Sequence, residues 1–266
     1  MYRAYFGFQR HPFGRDVPTE QLFSAPILDE LHARMNYLVE TRGIGLVTGE
    51  PGSGKTTALR RLRSGLHPDQ VRTLYVHDTS VSATDFCRQV ALELGIQPPH
   101  SRALVFRAIQ DEVVRLASER HLAVLLIVDE AHNLRPDVLG LFPVLTNFDL
   151  DSVGRLAILF AGQAGLRQKL RMAHLEALAQ RVTVRYNLGG LDRDTTRAYL
   201  DHRLRIAGVD RPLFSDNAAE AVFNASQGFM RRIDALAHHA LAAAAAVKAR
   251  SIDIDHVARA AEEVRS

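Results

Sequence analysis

Tryptophan is missing from this 266-residue sequence, cysteine occurs once, and lysine stands only at positions 55, 169 and 248. A single thiol, Cys87, excludes an intrachain disulfide and suits a reducing compartment. Its setting in a predicted helix makes it a small core residue. Long apolar runs are lacking too. The longest, residues 122–128 and 240–247, are far too short to span a bilayer. The N-terminus is polar and aromatic, without the apolar stretch of a secretory signal. These absences point to a cytoplasmic protein with no membrane part. A heavy charge imbalance is also absent: the net charge of +3 is milder than the footprint of a dedicated DNA-binding domain. Arginine outnumbers lysine heavily. That suits bidentate contact with phosphate or carboxylate, but a GC-rich genome produces the same bias, so it decides nothing.

What is present is an ordinary globular composition, 47% hydrophobic and 24% charged, enough for a sizeable core and for about two domains. The stretch that organises the chain is Gly49-Glu50-Pro51-Gly52-Ser53-Gly54-Lys55-Thr56, which fits G-x-x-x-x-G-K-[ST]. An apolar run, 44–48, reads as a buried strand before it, and Thr57 opens a helical pattern after it. Strand, glycine loop and helix is the context that this motif requires. Glycines let the backbone curl close to phosphate oxygens, and the helix N-terminus adds unpaired N–H groups. Lys55 can then reach the β- and γ-phosphates, and the Thr56 hydroxyl can ligate Mg²⁺. ATP and Mg²⁺ are therefore the expected ligands.

A second motif supports the first. The apolar run 122–128 reads as a buried strand and runs straight into Asp129-Glu130. Acids at a strand's carboxyl end stand where ligands bind in open α/β sheets. Asp129 is placed to hold Mg²⁺, and Glu130 to orient an attacking water. His132 reads as a turn residue.

Further strands are expected at 71–77, 156–161 and 182–188. Helices are expected from Pro26 to about Gly43, at 83–94 behind a Ser82/Asp85 capping box, and at 102–119, 136–148 and 166–178. Five apolar strands alternating with helices indicate a parallel α/β sheet. Beyond Gly189-Gly190 only helical patterns follow, at 195–207, 216–226, 230–249 and 253–264. The expected division is therefore 1–190, an aromatic N-terminal segment plus α/β domain, and 191–266, a small all-helical lid. The N-terminal segment is expected to pack on the α/β domain near the nucleotide.

With these motifs in this order the sequence resembles the AAA+ ATPases, and more narrowly their ExeA-type branch. The narrower likeness rests on Tyr5-Phe6-Gly7-Phe8, Pro12-Phe13, Gly162-Gln163, Ala179-Gln180-Arg181 and Tyr199-x-x-x-Arg203-Leu204-x-x-Ala207-Gly208. The resemblance implies a P-loop AAA+ fold with a five-stranded parallel sheet and helical lid, ATP hydrolysis, and a homo-oligomeric ring or helical filament. It implies Gln163 as the polar residue sensing the γ-phosphate. Arg181 is implied as the arginine finger for a neighbouring subunit, with Arg171 and Arg185 as rivals. Arg231 is implied as the second sensor. Met230 stands where related sequences have proline, which leaves Arg231 and Arg232 both open.

The branch includes an envelope-secretion kind, with a membrane segment and a peptidoglycan-binding region, and a compact kind similar to MuB-like helpers of DNA transposition. A sequence closing at Ser266 without such additions favours the second kind. The expectation is an ATP-dependent oligomer that binds duplex DNA non-specifically and recruits or activates a transposase. The alternatives are a secretion-type or other protein-remodelling ATPase, and a nucleotide-gated DNA scaffold with little hydrolysis. Candidate DNA contacts are Arg167, Lys169 and Arg171, the first and last sharing a helix face. Arg60, Arg61, Arg63 and Arg135 are further candidates, and Thr79, Ser80 and Ser82 could face a pore.

Overall fold

The computed structural model describes residues 2–148 and 154–265. In chain order it runs α1 (Tyr2–Phe6), α2 (Pro26–Thr41), β1 (Ile44–Gly49), α3 (Lys55–Gly65), β2 (Val71–Val76), α4 (Ala83–Leu94), α5 (Arg102–Ser118) and β3 (Ala123–Val128). It continues with α6 (Pro136–Leu139), α7 (Phe142–Leu145), β4 (Leu156–Gly162), α8 (Gly165–Lys169), α9 (Glu176–Arg181) and β5 (Val182–Leu188). Four helices close the chain: α10 (Arg193–Ile206), α11 (Asp216–Ser226), α12 (Met230–Ala246) and α13 (Ile254–Arg265).

These elements form two compact units. One is Leu28–Gly49 with Lys55–Leu188; the other is Met1–Ile27, Glu50–Gly54 and Gly189–Ser266. The first is a five-stranded sheet in the order β2-β3-β4-β1-β5, parallel throughout. Its central strands β1, β3 and β4 are almost wholly buried, as a sheet covered by helices on both faces requires. The order puts β4 between β1 and β3. The carboxyl ends of the glycine-loop strand and the acidic strand therefore flank the end of β4, where Gln163 follows Gly162.

Two expected helices are broken. Residues 136–148 form α6 and α7 instead of one helix, because Pro143 lacks the N–H that a continuous helix would use. Residues 166–178 form α8, a 3₁₀ turn at Ala173–Leu175, and α9. Their buried leucines fall at 166, 170, 175 and 178, and the gap between the second and third breaks the helical period. The capping box at Ser82 holds as expected: its hydroxyl oxygen accepts the Asp85 N–H at 3.2 Å, and Gly95 closes α4 at φ 84°.

In the second unit the aromatic N-terminal segment packs with α10 and α12, whereas the sequence pattern groups it with the sheet. Phe13 meets Phe214 edge-on, Phe23 meets Tyr199, and Tyr2 meets His238. The buried Arg203 explains the attachment: its guanidinium donates to the carbonyls of Pro12 at 2.8 Å and Gly14 at 2.6 Å. The same group pairs with Asp234 at 3.3 Å and donates to the Tyr199 hydroxyl at 2.6 Å. Among the described residues, no helix is long and apolar enough to cross a membrane.

Candidate nucleotide site

β1 delivers Gly49 to the carboxyl edge of its sheet, and α3 begins six residues later at Lys55. Lys55 is buried, and its ammonium donates to the Gly49 carbonyl at 2.8 Å. A buried cation held by its own loop strand is poised to exchange that carbonyl for phosphate oxygen. Thr56 follows it, exposed, and its hydroxyl donates to Oδ2 of Asp129 at 3.2 Å. The two expected cation ligands thus meet, although 73 residues separate them.

Asp129 is itself buried and well supplied with donors. Its Oδ1 accepts the Glu130 N–H at 2.9 Å, and its Oδ2 also accepts the Tyr75 hydroxyl at 3.1 Å. Burial and the nearby Asp129 carboxylate push Tyr75 up to about 12, so its hydroxyl stays protonated and donates at neutral pH. Glu130 adopts a left-handed conformation, φ 49° and ψ 33°. For a residue with a Cβ that costs about 1–3 kcal/mol, and it persists only where the surroundings enforce it. The buried Thr79 does so by donating its hydroxyl to the Glu130 carbonyl at 3.0 Å. The Glu130 carboxylate remains half exposed, with Nδ1 of His132 at 3.3 Å from its Oε2.

The loop residues Glu50–Gly54 pack within the lid unit. Gly52 has φ 85°, and a Cβ there would lie 2.5 Å from that of Arg231, so only glycine permits this approach. The Gly52 carbonyl accepts the Arg231 N–H at 3.1 Å. Arg232 points elsewhere, its guanidinium 5.4 Å from the Phe229 ring centre. Of the two arginines left open by the sequence, Arg231 is the one tied to the glycine loop. Met230 occupies the space beside Gly54, where a Cβ would collide with its Cε. The Ser53 hydroxyl is buried without a hydrogen-bond partner. An orphaned polar atom inside a glycine loop suits a loop that closes on a polar ligand. Glu50, Pro51 and Thr57 complete the segment, the first two exposed and Thr57 half-buried.

The residues fit a nucleotide carrying Mg²⁺. Among those described, no group of three or more His, Cys, Asp or Glu could hold a metal unaided. Magnesium borne on phosphates needs only one or two protein ligands, and Thr56 and Asp129 supply that number.

Other expected residues lie apart. Arg181 ends α9 and precedes β5, whose register pairs Val182 with Ile44 and Leu188 with Gly49. It therefore lies at the amino edge of the sheet, a strand length or about 20 Å from its own Gly49. Its Nη1 donates to the Thr146 hydroxyl at 3.4 Å. Of its rivals, Arg171 is exposed in the turn after α8, and Arg185 is bonded to the Ala179 carbonyl.

The expected basic cluster does not form as read. α8 ends at Lys169, so Arg171 lies outside the helix and shares no helical face with Arg167. The Lys169 ammonium turns inward onto the carbonyls of His132 and Leu134, bracing the turn after Glu130. Arg61 pairs with Asp29, and Arg135 with Asp137. Thr79 is buried beneath Glu130 and Ser82 caps α4, so both hydroxyls are engaged within the chain.

Sequence reasoning missed Tyr75 and the supporting role of Thr79. No motif marks either, and only the pairing of β2 with β3 brings them to the acidic strand.

A model of the AAA domain matches residues 34–170. General secretion pathway protein A of Aeromonas hydrophila is 34% identical over 270 residues, a span covering 99% of this chain and 48% of that protein. The chain thus spans about half the length of that relative. Among solved structures, Cdc6p from Pyrobaculum aerophilum superposes with a TM-score of 0.72 at 21% identity, over 95% of this chain and 70% of its own. The Aeropyrum pernix ORC1 protein in complex with DNA gives 0.66 at 18% identity, over 97% and 70%. These structural likenesses are of fold. The matched residues take in β1, the glycine loop, Asp129-Glu130 and Gln163, in a parallel sheet that sets their strand ends side by side. Because the domain model spans more than half of the chain, the chain belongs to the AAA domain family.

Proposed function

We propose that this chain is an AAA+ ATPase subunit of the ExeA type that binds and hydrolyses ATP in a homo-oligomer, ring or helical filament. The observation that carries this reading is the meeting of Thr56 with Asp129 beside the buried Lys55. Glycines 49, 52 and 54 cradle the phosphates, with Glu50, Pro51, Ser53 and Thr57 completing the loop. Magnesium, when bound, neutralises charge building on the phosphate oxygens. Glu130 orients the attacking water, Gln163 and Arg231 report on the γ-phosphate, and Arg181 serves a neighbouring subunit.

For the client, we propose duplex DNA, bound without sequence preference, and a transposase that the oligomer recruits or activates, as MuB-like proteins do. Exposed Arg167 and Arg171 and the DNA complex of a structural neighbour support this reading. We place the protein in the cytoplasm, where its single buried thiol stays reduced. One observation favours a second reading: identity with a secretion protein supports a protein-remodelling role. ATP turnover measured with and without duplex DNA, at low and moderate salt, separates the two. Stimulation that weakens with salt and vanishes in Lys55→Ala supports the DNA reading. Turnover indifferent to DNA moves the client to protein. Turnover unchanged in Lys55→Ala would falsify the site.

A further inference from the structure

Tyr75 belongs to none of the motifs, yet its hydroxyl is bonded to the carboxylate at the centre of the site. It stands on β2, an edge strand, opposite Ile127 of β3 and so just short of Asp129. From there its side chain reaches across to Oδ2 of Asp129 at 3.1 Å. The residue is fixed from two sides. Its ring stacks on His77 at 5.9 Å and 20°, and its N–H donates to Oε2 of Glu93 at 3.2 Å.

The same Oδ2 also accepts the Thr56 hydroxyl at 3.2 Å. A hydroxyl that turns its oxygen lone pairs to a cation redirects its proton. Among the described residues, Asp129 then keeps the Glu130 N–H on Oδ1 and the Tyr75 hydroxyl on Oδ2. Two donors on the two oxygens fix the carboxylate plane; one donor leaves it free to rotate. We propose that Tyr75 is a positioning residue for the divalent-cation end of the nucleotide site, holding Asp129 in plane when Thr56 turns to the cation. The inference rests on the reading of Thr56 and Asp129 as the Mg²⁺ residues. Groups that orient a metal's ligands typically contribute about 10- to 100-fold to its affinity.

The test uses the full chain with Tyr75→Phe, which keeps the ring and its stack. A fluorescent ADP analogue is titrated in EDTA and then across a range of Mg²⁺ concentrations. The expected result is equal affinity in EDTA and a Mg²⁺ midpoint raised about tenfold. Tyr75→Leu, which also removes the stack, should shift the midpoint at least as far. An unchanged midpoint in Tyr75→Phe, beside a clear Mg²⁺ dependence in the natural chain, overturns the role of Tyr75 alone. An equal loss of affinity with and without Mg²⁺ overturns it as well, since a purely structural role predicts that pattern. If the natural chain binds the analogue identically with and without Mg²⁺, the reading of Thr56 and Asp129 fails first.

Discussion

At the scale of single residues, the lid unit's buried charge makes the sharpest prediction. Asp234 sits between the Arg203 guanidinium and the Tyr199 hydroxyl, and burial outweighs both, lifting its carboxyl to about 6. The folded chain therefore holds this proton more tightly than the unfolded chain does. Stability from this group is fully present below the ordinary carboxylate range and is lost as pH rises through about 6. Asp234→Asn cannot titrate. It mimics the protonated carboxyl, the form that burial favours over the Arg203 ion pair. As pH falls from about 7.5 to about 4.5, the melting temperature of the natural chain should rise relative to that of the variant. A relative fall would mean that the guanidinium, not burial, governs Asp234. The Tyr199-x-x-x-Arg203 signature is visible in the sequence, but its use is not. Its partners are the carbonyls of Pro12 and Gly14, and a side chain bonded to backbone leaves no mark on the residues it bonds.

At the scale of elements, the turn into the lid is the tightest crossing. A Cβ on Gly190 would collide with the Gln227 carbonyl oxygen, and nearby the Leu191 N–H donates to the Gly228 carbonyl. Backbone cannot swing aside as a side chain can. Gly190→Ala should therefore cost about 1–3 kcal/mol. It should also weaken nucleotide binding, because the displaced backbone leads directly into Met230 and Arg231. Gly165→Ala is the control: its Cβ meets nothing within 4 Å, and at the first position of α8 it should leave the melting temperature nearly unchanged. Thermal melts of both variants check this, and equal melting temperatures would remove the crossing from the account. Where apolar runs are long and uninterrupted, as in β3 and β4, the pattern shows the element and its ends to within about a residue. At Pro143 and after Lys169 the breaks are small local signals, a missing N–H and a gap in the leucine spacing, that a count of apolar residues over the whole span passes over. A different limit applies to the site. Gly49–Thr56 and Asp129-Glu130 are contiguous and legible; Tyr75 and Thr79 act across strands and are not.

At the scale of the whole molecule, the parallel sheet has a direction, and the proposed parts of catalysis lie at its two edges. Gly49 ends β1 and Asp129 follows the last residue of β3, whereas Arg181 precedes β5. With Arg181 assigned as the finger, Arg181→Ala should bind ATP normally and lose about 10³-fold or more in turnover. Mixing it with Lys55→Ala should restore activity that neither variant shows alone, because the second keeps its finger and the first keeps its site. Turnover by Arg181→Ala at the natural rate would put the finger elsewhere. Contacts that join one edge to the opposite edge are head-to-tail, and they either close or run on. An open row of such subunits has unequal ends. The first subunit holds a site that no neighbour completes, and the last extends an arginine that serves no one. Turnover per chain would then climb with row length and level off in long filaments. A closed ring has no ends, so its turnover per chain would be constant once the ring has formed.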